Sequence, residues 1–171
     1  MSKEDIFMLD FITENGGAVL VWLAVALTVL LPGLGSAKGV GIVGQAAAGV
    51  LSEDPTKFGK VLILEVLPGT QGLYGFLTGI LIMSSSGLHG GDTSGLTAHV
   101  GFQFLAAALP MAIVGYFSAI AQAKTAAAGV AIAAKQPEES TKGVILAAMV
   151  ETYAVLALLV SLLAVFNIQV G

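Results

Sequence analysis

"KVLILEVLPGTQGLYG" (60–75) and "KGVILAAMVETYAVLA" (142–157) overlay at an offset of 82 residues, matching Lys60 with Lys142 and Thr70 with Thr152. The connectors ahead of them, "SEDPTKFGK" and "KQPEESTKG", overlay through Pro55 and Pro137. Further upstream "GSAKGVG" matches "AQAKTAA" and pairs Lys38 with Lys124, now at an offset of 86. The difference is about one helical turn, so an insertion in the helix or connector of the first half leaves the same face in register. Fixed-period self-similarity marks a repeated supersecondary unit. The unit here is a long apolar segment, a short Pro-containing turn and a second long apolar segment.

Outward from this repeat, the whole chain has the composition of a membrane protein. Of its 171 residues 56% are hydrophobic and 11% charged, with a mean hydropathy of +0.93, far from the averages of soluble domains. Four apolar runs, 16–51, 58–84, 100–134 and 143–168, are each long enough to cross a hydrocarbon core of ~30 Å. The expected fold is all-α: four transmembrane helices arranged as two duplicated helical hairpins. The division predicted is a leader at 1–15, a first hairpin at 16–86, a loop at 87–98 and a second hairpin at 99–171. The leader "MSKEDIFMLDFITENGG" is acidic, and the run after it is too long for a signal-peptide core, so the first helix is expected to stay in the mature chain.

Charge sets the expected orientation. Lys57, Lys60, Lys135 and Lys142 lie in or beside the two Pro-containing connectors, whereas the leader and the loop around "SSSGLHGGDTSGLTAH" hold only Lys3 beside Glu4, Asp5, Asp10, Glu14 and Asp92. Basic residues favour the cytoplasmic side, so the connectors are read as cytoplasmic and the termini as extracytoplasmic, in a multi-pass protein of the cell (plasma) membrane. With no cysteine in the chain, disulfides and thiolate metal sites are excluded.

The first helix of each half is rich in small residues. Gly35 and Gly39 form a GxxxG that Ala37 and Gly41 extend, a pattern that lets helix backbones approach closely in lipid. The second helices carry "LYGFLTGILIM" and "YAVLALLVSLLAVF", which suit contact with lipid. An inner layer of helices one and three, an outer layer of helices two and four, and lateral closure of copies into a homo-oligomeric ring follow as the economical arrangement. Pro32 is expected to bend the first helix. "GVGIVG" (39–44) formally matches GxGxxG but lacks the strand that a dinucleotide site needs.

One carboxylate falls near the middle of the fourth helix. Glu151 costs ~2.5–3.5 kcal/mol to place at a bilayer centre and is by default functional. Its counterpart in the first half is Gly69, so the site is made once per chain. At comparable depth lie Thr70 and Gln71 on the second helix and Gln122 on the third. Leu67, Thr70, Gln71 and Tyr74 share one helical face by their spacing, and Pro68 frees a carbonyl there. A carboxylate, two amides, a hydroxyl and a loosened carbonyl suit a hard monovalent cation such as Na+. For H+ the desolvated carboxyl of Glu151 alone would suffice, so the additional oxygens argue for Na+. Singly, Gln71, Gln122 and Thr70 could equally be polar links between helices.

Together "GSAKGVG", "LPGTQGLYGF", "IAQAK", "AAKQPE" and "TKG…AAMVETYA" closely resemble the proteolipid subunits (subunit K) that form the c-ring of bacterial V-type Na+-transporting ATPases, over nearly the whole chain. The resemblance implies a rotor ring turned by ATP hydrolysis in a soluble head, each copy carrying one ion past a stator. It also implies ion ligands at Glu151, Gln122, Gln71, Thr70 and the Leu67 carbonyl, with Tyr74 a supporting hydrogen-bond partner of the glutamate. The implied partners are further copies of the chain, a stator membrane subunit bearing a cationic residue, central-stalk subunits at the cytoplasmic loops, and lipid. Neither an organic cofactor nor nucleic acid is expected. No P-loop GxxxxGK[ST] occurs, so ATP chemistry would belong to a partner and this chain would be a non-catalytic subunit.

Glu65 departs from the resembled pattern, where a neutral residue is usual. Six residues before Gln71, it falls on another face and is read either as protonated or paired with Lys38 or Lys124, or as a station for the ion. His89, His99 and Asp92 of the outer loop are read as solvated loop residues. The rival readings are an H+-coupled ring of the same architecture, a four-helix channel with Glu151 lining a water-filled path, and a membrane spacer that leaves Glu151 unexplained.

Overall fold

A computed structural model describes the backbone of residues 3–91 and 93–170, with side chains from Asn15 onward. Five α-helices are present among these residues: α1 (Lys3–Glu53), α2 (Phe58–Val66), α3 (Thr70–Ser85), α4 (Ala98–Lys135) and α5 (Ser140–Asn167). A 3-10 turn at Leu67–Gly69 joins α2 to α3. Four stretches are long and apolar enough to cross a membrane, Asn15–Glu53, Pro55–Ser85, Ala98–Lys135 and Pro137–Asn167. They are called spans 1 to 4, and span 2 consists of α2, the 3-10 turn and α3. The protein is thus an all-helical, multi-pass membrane protein of two hairpins. The stretch read as a leader is helical from Lys3 onward, continuous with span 1; residues 1 and 2 and the side chains of 3–14 lie outside the described residues.

The four-residue difference between the repeats takes the form of a longer helix. Span 1 ends at Glu53, 15 residues past Lys38, whereas span 3 ends at Lys135, 11 past Lys124. One additional helical turn keeps the two copies facing alike. Span 1 also continues as helix through Pro32.

Spans 1 and 3 make the most extensive contact in the fold, as the small residues predict. A Cβ added at Gly35 would lie 2.7 Å from the Tyr116 carbonyl oxygen, and one at Gly39 would lie 3.1 Å from that of Ala119 and 2.9 Å from Pro68 Cβ. Gly129 of span 3 meets Gly143 of span 4 in the same manner. These are positions where only a missing side chain permits the approach. Ala37 and Gly41 face away from the rest of the chain, with nothing within 4 Å of a Cβ built at Gly41. Two apolar clusters fill the interior. One, around Phe104, Val21 and Ile82, holds the end near the 87–98 loop; the other, around Val43, Leu64 and Val130, holds the connector end. Large exposed apolar residues such as Leu73, Phe76, Tyr153 and Leu163 lie on spans 2 and 4.

The connectors are tied together by the first one's lysines. Lys57 Nζ donates to the Ala134 carbonyl at 2.7 Å and Lys60 Nζ to that of Pro137 at 2.9 Å. Both acceptors lie at the C-terminal end of span 3 or just past it, where helix carbonyls lack partners and cations are favoured.

Candidate cation site

Pro68 shapes the local backbone of span 2. Lacking an N–H and pressing on the preceding turn, it interrupts the α-helix, and the chain tightens into the 3-10 turn Leu67–Gly69 before α3 resumes at Thr70. The Leu67 carbonyl accepts from the Thr70 backbone N–H and, at 3.0 Å, from the Thr70 hydroxyl. Across the interface the Gly72 N–H donates to Ser36 Oγ on span 1 at 2.8 Å. The same hydroxyl-to-carbonyl pattern recurs in the repeat, where Thr152 donates to the Met149 carbonyl at 2.8 Å.

Three spans bring their polar side chains together. Tyr74 donates its hydroxyl to Glu151 Oε1 at 2.6 Å. Gln122 donates through Nε2 to Glu151 Oε2 at 3.3 Å, and its own Oε1 accepts from Gln71 Nε2 at 2.5 Å. Gln71 and Gln122 are both 0% exposed. Glu151 is half-buried and borders a cleft on span 4 formed with Ala148, Thr152, Val155 and Leu156. Its carboxylate therefore receives two hydrogen bonds in a place where an uncompensated charge would be costly.

One atom of this network is left over. Gln71 Oε1 is buried and has no hydrogen-bond partner, although buried side-chain oxygens are nearly always satisfied. The hydrogen bonds already in place account for the amide protons that link Gln71, Gln122 and Glu151, while lone pairs remain on Gln71 Oε1, Gln122 Oε1, the Thr70 hydroxyl and the carboxylate. A cluster of acceptor oxygens around one carboxylate suits a hard cation.

The structure thus links Gln71, Gln122, Glu151 and Tyr74 directly and places Thr70 and Leu67 beside Gln71 on span 2. Sequence reasoning missed Ser36, which holds the turn after Pro68 in place; a hydroxyl among the glycines of span 1 was its only signal. Glu65 stands apart from the group. Among the described residues the ion pairs Lys57–Asp54, Lys60–Glu138 and Lys142–Glu139 all belong to the connectors, and none joins Glu65 to Lys38 or Lys124. The lysine pairing expected for Glu65 is therefore not formed within the chain. Of the outer-loop residues, His89 borders a cleft with Ile80, Met83 and Ser84, and Asp92 lies outside the described residues.

Comparison with known proteins agrees with the repeat. The sequence model of a family described as the C subunit of ATP synthase matches twice, at residues 23–82 and 105–164. The two matches start 82 residues apart, the offset that aligns the hairpins. Among curated proteins, a V-type sodium ATPase subunit K of Enterococcus hirae is 52% identical over 161 residues, covering 94% of this chain and 99% of that protein. An A-type ATP synthase subunit K of Methanocaldococcus jannaschii is 36% identical over 155 residues, 91% of this chain and 64% of that one.

Proposed function

The chain belongs to the ATP synthase C-subunit family, and on that premise we propose that it is the rotor-ring subunit of a V-type ATPase and carries one Na+ per chain at Glu151. The buried, unpartnered Gln71 Oε1 is the observation that carries the choice of ion. A proton needs one carboxylate; an additional oxygen held in reserve beside that carboxylate suits a cation that must replace its water shell. The sodium ATPase subunit that shares 52% of aligned residues points the same way.

Glu151, Gln122, Gln71, Thr70 and the Leu67 carbonyl supply the ligand oxygens. Tyr74 holds the carboxylate in position through its 2.6 Å bond, and Gln71, by donating to Gln122, turns the second amide so that its nitrogen meets the carboxylate. Away from the stator, Glu151 is neutralised by the bound ion, because a bare carboxylate facing hydrocarbon is too costly. At the stator a fixed cationic side chain competes for the carboxylate and releases the ion, and rotation by one position presents the next site. The Lys-rich connectors face the cytoplasm and the central stalk, and the termini lie outside.

Carbodiimide modification of purified rings tests the reading. Glu151 is expected to be labelled and to be protected by Na+ in a saturable manner. Labelling that responds to pH and not to Na+ would favour a proton ring, and ATP-driven transport that survives Glu151→Gln would refute the rotor mechanism.

A further inference from the structure

Glu65 is a second carboxyl within a membrane span, and the cation site does not use it. It sits on the flank of α2 that faces span 1, lying on the backbone at Gly44: a Cβ added there would be 2.8 Å from Glu65 Oε1. The residue is half-buried. The ligand face of span 2, with Leu67, Gln71 and Tyr74, is the opposite flank of the same helix by its 100° steps. Glu65 is thus turned away from its own chain's ion site.

The repeat shows what covers this flank in a ring. Glu65 is equivalent to Ala147 at the offset of 82, and Ala147 is 0% exposed, enclosed against Val43, Ala47, Val61 and Leu64 of the first hairpin. If copies associate as the two hairpins do within the chain, the flank of Glu65 closes on a neighbour's second hairpin. Gly143 and Leu146 then stand where Val61 and Leu64 stand, beside the neighbour's alanine-rich end of span 3. This step rests on the ring assembly proposed above.

No cation waits there. Lys38 is exposed and lies 140–180° around span 1 from Val43 and Ala47, and Lys124, its repeat partner, is likewise exposed. Lys142 is engaged with Glu139 at 2.6 Å and Lys60 with Glu138 and the Pro137 carbonyl. From its own chain Gly44 is the residue against the carboxyl, and from the neighbour glycine, leucine and alanines meet it. A charged carboxylate enclosed in such a seam would be uncompensated, and a neutral one would not.

We propose that Glu65 is a proton-binding carboxyl in the seam between neighbouring copies, taking up a proton as the seam closes and separate from the Na+ site. Rings at neutral pH and saturating Na+, with Glu151 held by its ion, should show the carbonyl stretch of a carboxylic acid in infrared difference spectra against Glu65→Gln rings. Dissociation of rings in detergent should steepen with rising pH in the native protein by about tenfold per pH unit relative to Glu65→Gln and Glu65→Met. Absence of the acid band, or one pH dependence shared by all three proteins, would overturn the proposal. So would a tenfold change in the Na+ concentration that protects Glu151 in Glu65→Gln, which would assign Glu65 to the ion's path. Native rings in which Na+ gives no protection would instead count against the sodium reading alone, and failure of the native protein to form rings against the assembly reading.

Discussion

Gly75→Ala should disturb the cation site without touching any of its residues. Gly75 follows Tyr74 on α3 and meets span 1, where a Cβ would stand 2.8 Å from Pro32 Cγ, 2.9 Å from Pro32 Cβ and closer still to the Thr28 carbonyl oxygen. Ordinary contact begins at 3.4 Å, so the spans must part by at least about 0.6 Å at Pro32. The opposing groups are a proline ring and a backbone carbonyl, neither of which can rotate aside. Overpacking of this kind costs about 1–3 kcal/mol. The shift also falls on Tyr74, whose 2.6 Å bond to Glu151 has no room to shorten and is lost once stretched beyond about 3.2–3.5 Å. Hydrogen bonds to charged groups contribute about 1.5–3 kcal/mol, so up to a hundredfold weaker Na+ protection of Glu151 is expected, together with a lower ring melting temperature. Gly59→Ala, where nothing lies within 4 Å of the added methyl, serves as the control and should be neutral or slightly stabilising. A Gly75→Ala ring with native melting and native Na+ protection would refute this account of the span 1–span 2 contact.

Gln71→Leu removes both the spare oxygen and the donor to Gln122, and should raise the half-protecting Na+ concentration at least about tenfold while rings still assemble, as native mass spectrometry would show. Ser36→Ala leaves the Gly72 N–H without its 2.8 Å acceptor, at a cost of about 1–3 kcal/mol readable as a lower thermal midpoint. In the first connector, two hydrogen bonds from Thr56, side chain and backbone, followed by Lys57, hold the Asp54 carboxyl below its ordinary range. A lowered folded value means the stabilisation is complete at neutral pH and is lost as pH falls through that lowered value. Amide exchange in the connector should therefore quicken in acid, and Thr56→Val should weaken that dependence.

Much of this architecture could be read from the residues because a membrane imposes long apolar spans and the duplication repeats its own signal. The carboxylate in "AAMVETYA", the amides of Gln71 and Gln122 and the proline of "LPGTQG" announced a site at one depth, since helical rise converts residue number into height. Helical period also gave the shared face of Leu67, Thr70, Gln71 and Tyr74. It did not tell which span would come against another face: Glu65 resting on Gly44, Ser36 meeting Gly72 and Gly41 left facing outward depend on helix rotation and crossing, which no local pattern encodes. The lysine caps on Ala134 and Pro137 were equally hidden, because long flexible side chains choose partners only after the hairpins have docked. The four-residue offset was visible, but only the fold shows it as an additional turn of helix at the connector end of span 1.

The central claim is that one Na+ binds per chain at Glu151. Equilibrium binding of radioactive Na+ to purified rings tests it most directly: one saturable ion per chain is predicted in the native protein, with none in Glu151→Gln. Absence of saturable binding in native rings, or equal binding in the variant, would contradict it.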